Sequence, residues 1–421
     1  MGTVSEVYGA HREGFVRGGT GPSWPSLESP EMPVQRPVYA DHHATTPLRP
    51  EALEAMLPWL TALAANPSSI HAPGRAAREA VESAREAVAS ALGVLPDEIV
   101  FTSGGTESDA LAVRGAALAA REREPGRSRV VFSAAEHPAV REAGLSLAGD
   151  GLEPVEVPVD GTGLPDEDGL ASAIGAKTAV VSLILASNET GAVNVRMPDA
   201  ARIAHAAGAV VHTDAVQAVG KIPVRPGALG VDLLSFTGHK FGGPKGAGGL
   251  WARKGVRLRP LFRGGGQERG RRGGTENVPA IVGLGAALTA AVARMDVEAL
   301  RLAALRDAFE AGVLVRVPGA RINGAGAAGG ERLPTASSVT FPGADGETLL
   351  ASLDLEGIAA SSGSACASGT PSPSRVLLAC GLPVAEVRAT LRFSFGWTSS
   401  EADVATLLEI LPGLVARARA V

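Results

Sequence analysis

Five short apolar runs, "EIVFTS", "RVVFSA", "AVVSLILAS", "AVVHTDA" and "DLLSFTG", recur between residues 98 and 238. They are continuous rather than alternating, the pattern of strands buried on both faces. Helical stretches such as "SDALAVRGAALAA" and "MPDAARIAHAAG" lie between them. Strand and helix in alternation predict βαβ units, hence a mostly parallel sheet with helices on both faces. After about residue 296 the pattern changes to a long helix, "VEALRLAALRDAFEAGVL", then the alternating strands "SSVTFPG" and "ATLRFSFG". The expectation is an α/β chain: a loose extension over residues 1–36, a large domain over 37–295 and a smaller α+β domain over 296–421. The segment of about 37–50 is assigned to the large domain, with membership of the smaller one as the alternative.

Composition narrows the function. Of 421 residues, 45% are hydrophobic and 20% charged, as in ordinary globular proteins. A net charge of −5 supplies no electrostatic reason for a nucleic-acid or membrane surface. No stretch reaches the roughly 20 apolar residues of a membrane span; "VPAIVGLGAALTAAVA" is shorter and reads as a buried helix. The 2 cysteines, Cys366 and Cys380, cannot staple a chain of this length, so a reducing, cytoplasmic setting is expected. Residues 1–36 contain Glu6, Glu13, Glu28 and Glu31 and no apolar signal core, which argues against a targeting peptide.

In a parallel sheet, ligands bind beyond the carboxyl ends of the strands, so the residues after each apolar run are the candidates. "TSGGTES" follows the first: Gly104, Gly105 and Thr106 at a helix start suit a phosphate, although Thr106 and Ser108 would also serve as ordinary caps. His137 follows the second, either flat against an aromatic ligand or simply ahead of the helix-starting Pro138. Asn188 follows the third, in "NETGA". Asp214 follows the fourth; it is a buried carboxylate awaiting a cation, or an N-cap. Lys240 directly follows the fifth, where burial would lower its pKa and free its lone pair. Lys245 lies among glycines and reads as solvated. Together these residues match the needs of pyridoxal phosphate: a phosphate clamp, a ring stack, an acid at the ring nitrogen and a Schiff-base lysine.

The motifs "YADHHATTPLRPEA", "TSGGTESDALA", "AAEHPAV", "SNETGA", "HTDAVQAVGK", "SFTGHKFGGPKGAG", "GGGQERGRRGGTEN", "SSGSACASG" and "LRFSFG" run in this order through nearly everything after residue 37. In them the chain resembles the cysteine desulfurases, in the iron–sulfur-cluster and nitrogen-fixation branch of the class V, fold-type I pyridoxal-phosphate family. The resemblance implies a seven-stranded-type sheet in the large domain. It implies that Lys240 carries the cofactor, that His137 stacks on it and that Asp214 pairs with its ring nitrogen. Gln217 would bond the ring hydroxyl. Gly105, Thr106, Thr237 and His239 would hold the phosphate, with Thr275 reaching in from a partner subunit. Asn188 and Arg392 would bind the substrate carboxylate. Thr237 stands where the family often has Ser, and "SNE" replaces a common "NNE".

In "TLRFSFG", Arg392 shares a face with Thr390 and Ser394, opposite Leu391, Phe393 and Phe395. Such an arginine either faces solvent or offers its planar fork to a carboxylate. Cys366 lies in "SSGSACASGTPSPS", a run without packing periodicity, and a mobile loop at 361–374 is expected to present its thiol for chemistry. Cys380, in "VLLACGLP", has an apolar setting and is expected to be inert.

The implied reaction converts L-cysteine to L-alanine with sulfur held on Cys366 as a persulfide. The catalytic residues would be Cys366, Lys240 and His137, in a homodimer serving a sulfur acceptor or scaffold protein. No resident metal is expected, although Cys366 could transiently bind a nascent iron–sulfur cluster. The alternatives are selenocysteine lyase, another carbon–sulfur lyase or an aminotransferase. A nucleic-acid module argued from "GAGAAG" or "RGGGQERGRRGG" is weaker, because "ERLPT" follows the first instead of a helix and the net charge is acidic.

Overall fold

The apolar runs supply five strands of one seven-stranded sheet. The computed structural model describes residues 37–324, 331–362 and 372–420; Cys366 and most of "GAGAAG" lie outside the described residues. In chain order the strands are β1 (Val38–Tyr39), β2 (Ile99–Thr102), β3 (Arg129–Ser133), β4 (Glu153–Val157), β5 (Thr178–Ser182), β6 (Val210–Asp214) and β7 (Leu233–Thr237). They continue with β8 (Gly248–Ala252), β9 (Arg321–Asn323), β10 (Ala336–Thr340), β11 (Ile358–Ala359), β12 (Ser361–Ser362) and β13 (Thr390–Ser394).

The large sheet has the order β2-β8-β7-β6-β5-β3-β4. Its pairings are parallel except for β8, which runs antiparallel to both neighbours. Side chains alternate between its faces, so Val131 packs in one core and Val130 and Phe132 in another. The first core includes Val81, Val88, Leu284 and Leu288 from the helices Ala72–Leu92 and Val278–Ala293. The second includes Leu111 and Val140 from the helices Gly105–Arg123 and Pro138–Ser146. Helices therefore cover both faces, and the carboxyl ends of β2, β3, β5, β6 and β7 lie along one edge.

Strand β8 is "GGLWA", a sequence with little strand signal of its own. A Cβ on Gly248 would come within 2.6 Å of Gly104 Cα, and one on Gly249 within 2.3 Å of the Phe236 ring. The glycines are there because neighbouring backbone and ring approach too closely for any side chain.

A second sheet, of order β12-β13-β10-β9, is antiparallel throughout. Leu391, Phe393 and Phe395 pack in its core with Phe309 and Leu411. The Phe309 and Phe393 ring centroids are 4.8 Å apart. Burying each such ring contributes about 1.5–3 kcal/mol, enough to hold the opposite face of β13, with Arg392, in place. The two-residue strand β1 pairs in parallel with β11, and Val38 and Ala40 join this same core. No single helix among the described residues is long and apolar enough to cross a membrane.

Candidate active site at the strand ends

Strand β2 ends in a turn that starts the helix Gly105–Arg123 without any side-chain cap. Ser108, instead of capping, donates to Gly104 O at 3.0 Å and pairs with the Thr102 hydroxyl at 2.7 Å. Glu107 accepts from Ser103 N at 2.7 Å and from Arg272 Nε at 2.9 Å. The first amides of a long helix are thus left for a ligand, the arrangement that binds phosphate. Gly105, Thr106, Thr237, His239 and Lys245 line a hollow of about 520 Å³ at this point. Lys245 is exposed, as expected for a solvated lysine, yet its side chain adds positive charge beside this helix start. His239 is held by the Thr45 hydroxyl at 3.2 Å, and burial, with Lys240 and Lys245 nearby, pushes its pKa down to about 4.

An adjoining hollow of about 300 Å³ shares Ala44, Gly105, Thr106, Thr237 and His239 with the first. That size falls within the roughly 300–1,000 Å³ of small-molecule sites. His137, Asn188, Asp214, Gln217, Lys240 and Arg392 all line it, so the strand-end residues do converge. Two of the open alternatives turn out not to compete. His137 caps the helix Pro138–Ser146, its Nδ1 accepting from Ala139 N at 3.1 Å, and still faces the hollow through its ring. Asp214 accepts from Val216 N at 2.9 Å and is only 4% exposed. Burial raises the Asp214 pKa, against the pull of His137 and Lys240.

Lys240 closes a tight turn after β7, and its Nζ donates to the carbonyls of His43 and of Ala44, the latter at 2.8 Å. Burial, reinforced by Arg392, lowers its pKa to about 8. Gln217 donates from Nε2 to His43 O at 2.9 Å and accepts at Oε1 from Lys221. Arg392 is 1% exposed, so the solvent-facing alternative is overturned. Its Nη2 pairs with Asp41 Oδ1 at 2.8 Å, its Nη1 donates to Asn188 O at 3.1 Å, and its Nε has no partner among the described residues. Thr275 is exposed and lies outside both linings. Cys380 is buried with Ala135 and Val376, and burial pushes its thiol up to about 12.

Several residues of the site escape reading by strand ends. His43 lies beneath Lys240 and Gln217, bonded to Thr335 Oγ1 at 2.8 Å and Asn188 O at 3.1 Å. The signal for it was present in "DHHATT", a polar knot between two apolar segments. Lys221, in "AVGK", and Asp109, one helical turn beyond the phosphate cradle, carry no local signal.

The arrangement suits a phosphorylated, aromatic cation. Helix amides await the phosphate, a buried carboxylate awaits the positive ring, and a weakly basic amine lies beside them. The family model for aminotransferase class-V matches residues 38–407. A cysteine desulfurase of Cereibacter sphaeroides is 48% identical over 390 residues, covering 91% of this chain and 97% of that protein. Among solved structures, a NifS-like protein superposes with a TM-score of 0.83 at 35% identity, over 91% of this chain and all (100%) of its own. SspA in complex with cysteine superposes with a TM-score of 0.73 at 34% identity, over 85% and 98%.

Amine reactivity checks the electrostatics. With a pKa of about 8 against the ordinary 10.5, Lys240 becomes a free amine well below the pH at which an ordinary lysine does. Acetylation of the cofactor-free chain, followed by peptide mass mapping, should give Lys240 a midpoint near pH 8. A midpoint near 10.5 would show that the hollow does not desolvate it.

Proposed function

The chain belongs to the class-V aminotransferase family, and on that premise we propose that it is a cysteine desulfurase. It would convert L-cysteine to L-alanine and hold the sulfur on Cys366 as a persulfide for iron–sulfur clusters or other thio-cofactors. The observation that carries this reading is the convergence of Lys240, Asp214 and an uncapped helix start on adjoining hollows. Pyridoxal phosphate fits that set. Its phosphate would take the amides of Gly105 and Thr106 with the side chains of Thr106, Thr237 and His239, its ring nitrogen would face Asp214, and His137 would lie against the ring. Gln217 Nε2 would turn toward the ring hydroxyl. We assign the cofactor to a part spanning 37–295 and the Cys366 loop to a part spanning 296–421.

When bound, pyridoxal phosphate supplies an electron sink conjugated to the substrate's Cα. The remaining chemistry falls to this chain. Arg392 Nε, buried and unpartnered among the described residues, is the donor that a substrate carboxylate would satisfy, with Asn188 beside it. Lys240 Nζ, its pKa lowered to about 8, takes the Cα proton. The Nδ1 of His137 is committed to Ala139 N, which leaves Nε2 to move a proton to or from the substrate sulfur. The Cys366 thiolate attacks that sulfur. As the new S–S bond forms, the C–S bond breaks and its electron pair stays with carbon, which is protonated to give alanine.

The chain just after the cysteine segment is anchored beside the substrate residues. Ser374 caps the helix Arg375–Ala379 and donates its hydroxyl to the carboxylate of Glu189, the neighbour of Asn188. Thr275 is exposed on the segment after the glycine-rich run, and that run is pinned by Glu268, which pairs with Arg85 through two bonds of 2.8 Å. We propose that Thr275 completes the phosphate site of a second copy in a homodimer.

Cys366→Ser distinguishes this reading from a lyase or aminotransferase. The variant should fold and bind pyridoxal phosphate normally, yet lose alanine production from L-cysteine by about a hundredfold or more, because a hydroxyl cannot replace a thiolate toward sulfur. Full turnover in Cys366→Ser would point to a lyase. Light scattering of the loaded enzyme should give twice the chain mass; an active monomer at micromolar concentration would remove the role of Thr275.

A further inference from the structure

Beneath the hollow lies a second carboxylate that the chemistry above does not use. Asp109, on the helix Gly105–Arg123, is 1% exposed and lines the same hollow as Asp214. One ligand atom each from Asp109, His137 and Asp214 lies within 4.8 Å of the others. Asp109 Oδ1 is buried and has no hydrogen-bond partner among the described residues. His212 Nε2 lies 3.7 Å from it, beyond hydrogen-bonding distance. His212 cannot answer a charge there. Its Nδ1 and Nε2 bond the hydroxyls of Ser182 and Ser235 at 2.8 and 2.9 Å, and burial drops its pKa to about 3.

The two carboxyls are not equivalent. Asp214 receives an amide hydrogen bond from Val216 and the positive influence of Lys240 and His137. Asp109 has no cation of its own, and burial, then Asp214, then more weakly Glu136, press it toward its neutral form, with only the Ser235 hydroxyl opposing. Two like charges a few ångströms apart in a dry pocket do not both persist; one proton is retained.

We propose that Asp109 is a positioning acid for Asp214: it keeps its proton, so the two buried carboxyls share one negative charge, and that charge rests on Asp214, where the ring nitrogen docks. This rests on the pyridoxal-phosphate reading of the site. A neutral, polar Asp109 leaves Asp214 solvated from behind by a dipole while adding no second charge. An apolar residue would remove that support and raise the proton affinity of Asp214. The groups facing the pair are His137, Glu136, His212, Ser235 and Lys240.

Two measurements test it. Infrared spectra of the cofactor-free protein at pH 7 should contain a protonated-carboxyl band that is missing in Asp109→Asn; spectra without that difference overturn the assignment. Equilibrium titration with pyridoxal phosphate, followed by absorbance, should give Asp109→Asn an affinity within about twofold of wild type, and Asp109→Leu one about tenfold weaker, equivalent to about one pKa unit at Asp214. An Asn variant as weak as Leu means that Asp109 acts as a charge, and a Leu variant equal to wild type means that it does not act on the site; either overturns the proposal. If Leu fails to fold, as judged by thermal unfolding, the infrared comparison and the Asn titration still decide. A wild-type chain that shows the band but takes up no pyridoxal phosphate would support the protonated acid and contradict the reading of the site instead.

Discussion

Placing Lys240 and Asp214 at one apolar sheet edge is the constraint on which the rest depends. An ionised group taken out of water costs several kcal/mol unless partners replace its hydration. The protein supplies those partners from the backbone: the carbonyls of His43 and Ala44 for the lysine, and the Val216 amide for the aspartate. The first pair comes from residues far from Lys240 in sequence, so the segment around 41–46 must lie across the strand ends. Several contacts hold it there. β1 pairs with β11, His43 N donates to Ser394 Oγ at 2.9 Å, and Arg392 grips Asp41. The second sheet therefore helps to build the candidate site: through β13 it places the carbonyls that steady the lysine and the arginine that faces it.

The same economy extends to Lys221. Its Nζ donates to Gln217 Oε1, so a second buried amine fixes which end of the Gln217 amide points toward His43 and the hollow. Burial, with Lys240 and Arg392 nearby, lowers its pKa well below the usual lysine value. For Lys240, burial and Arg392 outweigh the attraction of Asp41 and Asp214, and Lys240 in turn helps to lower the pKa of Lys221.

Much of this was legible in the sequence, for reasons that can be named. β2, β3, β5, β6 and β7 were visible because strands buried on both faces need unbroken apolar runs. β4, "EPVEV", was not, because its two glutamates are exposed and interrupt the apolar run. β8 was hidden by the glycines that its close packing requires. Of the site, Gly105, His137, Asp214 and Lys240 were found because a parallel sheet puts ligands at strand ends. Asp109 and Lys221 were not, since nothing local distinguishes a buried carboxylate or amine on a helix or turn from a solvated one. Arg392 was readable as to face but not as to burial: alternation says which side of β13 it occupies, and only the fold says that Asp41 and Asn188 cover that side.

Of the lysines near the hollow, Lys240 is the one proposed to take the cofactor. Loading the purified chain with pyridoxal phosphate, reducing with borohydride and mapping the modified peptide by mass tests it most directly. A stable pyridoxyl adduct should form on Lys240 alone. An adduct on Lys221 or Lys245, or none on any lysine, would contradict it.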